Sequence, residues 1–97
     1  MNLDQRTATI IMHEGWGKEF DFQMEDEHAY YFESNEQEVK IVKDYEEAGF
    51  FSVEGRSQGN EDWHDWDTVP YKDAVAMVAE VEERERNSKQ VEQGFGL

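Results

Sequence analysis

Cysteine is absent and proline occurs once in this chain of 97 residues. Without thiols there are no disulfides and no thiolate metal ligands, so stability must come from packing. Leucine, ordinarily among the commonest residues, stands only at positions 3 and 97. Apolar runs are short, and none approaches the roughly 18 residues that a spanning helix requires. Residues 1–12 also lack the basic region and apolar stretch of a secretory leader. A soluble, cytoplasmic protein is the expectation. Basic residues are the scarcest relative to their counterparts: 9 Lys and Arg oppose 24 Asp and Glu, a formal net charge of -15. Such a chain repels nucleic acid and anionic membrane surfaces, which are themselves polyanions.

The acids that are present are unevenly placed. Residues 13–38 hold nine of them and a single base, Lys18, and residues 54–67 hold five against Arg56. Solubility alone asks for a net charge of about 2–8 in a small domain. The excess beyond that acts against compaction and points to a partner of opposite sign. A halophilic origin would also raise the acid content, but lysine is used here at least as often as arginine and aromatics make up 13% of the chain. That aromatic content also argues against wholesale disorder.

The apolar pattern predicts a strand over residues 7–12 and a turn at Gly15-Trp16-Gly17. A second strand over 18–24 alternates Phe20, Phe22 and Met24 with Glu19, Asp21 and Gln23, giving one apolar and one acidic face. A third strand covers 28–33. Ser34 with Gln37 has the spacing of a capping box, and Val39, Ile41, Val42, Tyr45 and Ala48 then predict a helix ending at Gly49; a strand over 39–42 is the rival reading. Strands follow over 50–56 and 63–68, separated by a turn at 57–60. Pro70 suits the first turn of a long helix to about Arg86, its outer face neutralised by Glu80 with Arg84 and Glu82 with Arg86. The expected fold is a single α+β domain over residues 1–86, a mostly antiparallel sheet of about five strands with two helices on one face in the order βββαββα. Residues 87–97 form a flexible C-terminal tail.

No arrangement names a reaction. His64 lies among Asp62, Asp65 and Asp67, with neither the ligand spacing of zinc nor the central glycine of a calcium loop. Ser34, Ser52, Ser57 and Ser88 lack a nucleophile elbow, and no glycine-rich phosphate loop precedes a helix. The expectation is a non-enzymatic protein without metal or cofactor.

What remains is recognition. Glu19 and Asp21, two apart on a strand, would stand ~6.6 to 6.8 Å apart on one side, comparable with successive phosphates of a nucleic-acid strand. An acidic surface of that kind can occupy the basic groove of a protein that handles nucleic acid. The acids expected to do so are Glu14, Glu19, Asp21, Glu25, Asp26, Glu27, Glu33, Glu61, Asp62 and Asp65, with Trp16, Trp63 and Trp66 as aromatic anchors. Trp63 and Trp66 are three apart, so a strand turns them to opposite faces. The small acidic inhibitors that bacteriophages direct against restriction and CRISPR systems are similar in size and charge, although no residue motif is shared and no site is transferred. An adaptor docking through its exposed aromatics is the alternative, and a small hydrolase or metal-dependent enzyme using His64 and nearby acids is a third.

Overall fold

The computed structural model describes residues 4–43 and 49–95, and the side chains of its last helix as far as Ser88. The order of elements is α1 (Gln5–Gly15), β1 (Asp21–Glu25), β2 (Ala29–Glu33), β3 (Gln37–Val42), β4 (Phe50–Ser57), β5 (His64–Pro70) and α2 (Tyr71–Phe95). The five strands form one antiparallel sheet in sequence order, β1-β2-β3-β4-β5. The fold is a small α+β domain, as the composition and patterning predict, with two elements exchanged in kind.

The first exchange is at residues 7–12, which form a helix rather than a strand. Asp4 caps it, its carboxylate accepting from the backbone N–H of Thr7 at 2.7 Å, and these bonds hold the carboxyl below the usual aspartate range. Thr7 with Ile11 and Ala8 with Met12 are then one turn apart, and all four are buried. The glycine turn that follows is the C-terminal exit of this helix: Trp16 and Gly17 both donate to the carbonyl of Met12, at 2.8 and 3.1 Å.

The second exchange is at residues 34–42, where the rival strand prevails. Ser34 and Gln37 do bond one another, but as a hairpin turn: Ser34 N–H donates to the Gln37 carbonyl at 2.8 Å and Gln37 N–H to Ser34 Oγ at 3.2 Å. Val39 and Ile41 then alternate inward along β3. Tyr45 and Ala48, the later members of the predicted helix, lie outside the described residues. Gly49 has φ 75° and precedes β4.

One face of the sheet carries the core. Phe32, Val39, Ile41, Phe51 and Val53 are fully buried with Ile11 and Met12 of α1, and Ala8, Phe20, Tyr30, Val69 and, from α2, Ala74 complete the cluster. Both helices therefore lie on this face, and α1 contacts α2. Charged residues join them: Arg6 bonds Glu82 at 3.0 Å and Arg84 pairs with Glu14. The expected pairings within the last helix, Glu80 with Arg84 and Glu82 with Arg86, give way to these contacts between helices. α2 also continues beyond Arg86 to Phe95. Among the described residues no helix is long and apolar enough to cross a membrane.

Candidate functional site

With both helices on one side, no described helix covers the other, open side of the sheet, and the strand register determines what it displays. Phe22 pairs with Phe32, Phe32 with Val39 and Val39 with Gly55 on the core side. The residues between them face outward. Asp21 pairs with Glu33, Glu33 with Glu38 and Glu38 with Arg56, forming one row across the open face. Tyr31, Lys40, Glu54 and Asp65 form the next.

These rows place like charges opposite one another, at Asp21 and Glu33, at Glu33 and Glu38, and at Glu54 and Asp65. Such pairs cost stability, each on the order of 0.2–1 kcal/mol. Compensation is partial: Arg56 Nε donates to Glu38 at 2.6 Å, while Glu33 receives only the neutral amide of Gln58, at 2.7 Å. Glu33→Gln keeps an acceptor for Gln58 and removes two repulsive contacts. It is expected to raise the urea midpoint at unchanged slope, by a stability gain of about 0.5 kcal/mol.

Between the rows stands an aromatic pair. The rings of Tyr31 and Trp63 are 6.2 Å apart at 59°. The Lys40 ammonium lies 4.5 Å and the Arg56 guanidinium 4.3 Å from the Trp63 ring centre, within cation–π range. Met24 joins them because of a β-bulge. The β1–β2 register slips between Phe22 and Met24, so Met24 lies opposite Tyr31 and is 51% exposed rather than buried as its alternation predicts. Met24, Tyr31, Trp63, Glu33, Glu38 and Arg56 are among the residues that line a groove of about 410 Å³.

Tyr31 is held from behind by Asp26. One oxygen of that carboxylate accepts from the N–H groups of His28 and Ala29 at 2.8 and 2.9 Å, the other from the Tyr31 hydroxyl at 2.8 Å. The His28 bond first, and then Tyr31, hold the Asp26 carboxyl below the usual aspartate range. Burial, followed by the hydrogen bond and charge of Asp26, pushes the Tyr31 phenol up. A depressed carboxyl contributes stability above its unfolded pKa, about 3.9 for aspartate, and loses it as pH falls through the folded value. The raised phenol contributes below its unfolded pKa, about 10, and loses it as pH climbs through the folded value. The parent should therefore lose stability relative to Asp26→Asn below about pH 4, as read by urea unfolding at stepped pH.

The expected acids separate into groups. Asp21, Glu33 and Asp65 are on the open face, with Glu61 and Asp62 exposed in the loop that leads to Trp63. Arg56, which bonds Glu38 of the first stretch, also donates to the carbonyl of Glu61 at 3.4 Å, so both acidic stretches meet here. Glu19 precedes β1, and with Asp21 and Glu33 it borders a polar recess of about 380 Å³. Glu27 is exposed at the β1–β2 turn. Three others are engaged within the fold: Glu14 with Arg84, Glu25 with Lys43 at 2.5 Å, and Asp26 in its turn.

The tryptophans separate as well. Trp63 is on the open face, whereas Trp66 lies over Gly55 and packs, like Trp16, against the core. Tyr31, Met24, Lys40, Arg56, Glu38 and Glu54 complete the site and were not among the expected site residues. The alternation around Tyr31 is the signal that places it opposite Tyr30 and Phe32. Among the described residues no group of three or more His, Asp or Glu side chains is placed to hold a metal ion. No protein-family model, curated protein or solved structure matches the chain.

Proposed function

We propose that this chain is a non-enzymatic binding protein whose open sheet face docks on a basic surface of another protein, its nucleic-acid-binding site, and blocks it. The reading rests on one observation: carboxylates from two separate acidic stretches converge on an uncovered face around the Tyr31–Trp63 pair, facing one another with incomplete compensation. A cationic partner relieves that repulsion on binding, so charge complementarity and burial of the rings act together. Steering by the net charge makes association fast and salt-sensitive. A phage-borne inhibitor of host restriction or CRISPR machinery is the biological setting such a mimic fits.

The exposed Met24 beside the two rings also favours a second reading, an adaptor that docks through apolar contact. The two differ in their response to salt and to polyanions. Capture of partners from bacterial lysate with the parent, an Asp21→Asn/Glu33→Gln/Asp65→Asn variant and a Trp63→Ala variant separates them. Under the inhibitor reading a nucleic-acid-handling protein is retained by the parent, released by salt or duplex DNA, and lost from the neutralised variant. Retention that resists salt and DNA and depends only on Trp63 overturns it in favour of the adaptor.

A further inference from the structure

The groove on the open face has the chemistry of a receptor for one particular side chain, and the fold contains a template for it. Arg56 shows how a guanidinium sits on this surface: its central carbon lies 4.3 Å from the Trp63 ring centre while its Nε donates to Glu38 at 2.6 Å. One carboxylate, one ring and the Glu61 carbonyl hold it. Lys40, at 4.5 Å, and Arg56 both take the Trp63 ring, and the rest of the groove offers a second apolar wall and a second carboxylate. The Tyr31 ring and the Met24 thioether form an apolar wall, and the Glu33 carboxylate, directly opposite Glu38 in the register, takes only the Gln58 amide.

We infer that this groove receives an arginine side chain of the partner protein, its guanidinium against the wall of Tyr31 and Met24, beside Trp63, and bonded to Glu33 and Glu38. The inference rests on the docking face proposed above and names the group that enters it. Arginine is favoured over lysine because a planar fork can stack on a ring and bond two carboxylates at once, whereas an ammonium is a strongly hydrated point charge. The aliphatic stem of the arginine covers Met24, whose outward turn at the bulge otherwise leaves a large apolar side chain in water. Tyr31 is fixed for this task by its bond to Asp26, so the wall is formed before the ligand arrives. Arg56 shares Glu38 with the incoming group, and Glu33 supplies the charge that Arg56 does not reach.

The test uses the full chain labelled with ¹⁵N and a short tri-arginine peptide, with tri-lysine and tri-citrulline peptides as controls, at low salt. The chain has three indole N–H groups, assigned by substitution, which report separately on the open face and on the core-packed rings. Expected is a saturable shift of the Trp63 indole with tri-arginine, about tenfold weaker binding with tri-lysine and none with tri-citrulline. Glu33→Gln should weaken tri-arginine binding about tenfold, while the Trp16 and Trp66 indoles keep their positions and certify the fold. Binding of tri-arginine that leaves the Trp63 indole unmoved, or equal binding of tri-citrulline, overturns the groove assignment; in the first case the acidic docking face survives. Absence of any arginine-peptide binding at low salt overturns both.

Discussion

Gly55→Ala is expected to destabilise the domain by about 1–3 kcal/mol, a large part of the roughly 5–15 kcal/mol that a small domain possesses. The reason is steric, since the backbone at Gly55 is not in the left-handed region. Gly55 is buried in β4 on the core face, and a Cβ there would run into the indole of Trp66, against Cε2, Cζ2 and Cδ2. The ring is placed there by a break in the β4–β5 register between Val53 and Glu54, which makes Trp66 the extra residue between Asp65 and Asp67. A glycine within a strand often marks such a close approach. Gly55→Val should be worse, because its branches have no free direction. Trp66→Leu should recover part of the loss when combined with Gly55→Ala, giving a coupling on the order of 1–3 kcal/mol in a double-mutant cycle. Thermal or urea unfolding followed by circular dichroism reads all three. A Gly55→Ala protein with the parental midpoint would mean that the ring is not seated over the glycine.

The register that seats Trp66 is a long-range property, and it marks the limit of what local sequence conveys. The second, fourth and fifth strands and the last helix were legible because each lies between clear turn signals. Residues 7–12 fit both periods: Ala8, Ile10 and Met12 alternate, while Thr7 with Ile11 and Ala8 with Met12 are a helical turn apart. Four β-branched residues favoured the strand, and the cap from Asp4 together with the cover this segment provides for the sheet decided for the helix. Residues 34–42 were misjudged in the opposite sense. Ser34 and Gln37 have the same spacing in a capping box and in the hairpin turn they form. Only pairing with β4, which sets Lys40 opposite Glu54 and Glu38 opposite Arg56, reveals a strand. One helix and one strand traded places, so the class and the element count were right while the order was not.

The open face was partly legible for the same reason. The three-residue spacing of Trp63 and Trp66 placed them on opposite faces, and the acidic side of residues 18–24 was correctly oriented as far as Asp21. Met24 escaped because a bulge leaves no mark in an alternating pattern. Glu14, Glu25 and Asp26 were indistinguishable from their neighbours in the sequence, since Arg84, Lys43 and the Tyr31 hydroxyl reach them only through folding. Local rules are also broken where the function is proposed. Like charges face one another across three strands, which a chain selected for stability alone would avoid.

Trp63→Ala is expected to reduce affinity for a basic partner at least about 30-fold, corresponding to about 2 kcal/mol, the level at which a residue dominates an interface. Its effect on the fold should be smaller. Trp63 is half-buried on the open face, where it touches Tyr31, Lys40 and Arg56 but none of the core cluster. The tilted ring pair and the two cation–π contacts contribute on the order of 0.5–1 kcal/mol each. Trp66→Ala should show the reverse. Removing a ring packed over Gly55 and the core costs on the order of 3 kcal/mol, whereas the affinity of the molecules that remain folded should stay near the parental value. Glu33→Gln adds a third signature, in which stability rises as affinity falls, because the repulsion it removes is the feature that a cationic partner exploits. Affinities from calorimetry at low salt, set beside urea midpoints for the three variants, should therefore separate along two axes. If Trp63→Ala and Trp66→Ala instead lose affinity only in proportion to their loss of stability, the open face is not the docking surface, and the charges on it serve no recognition.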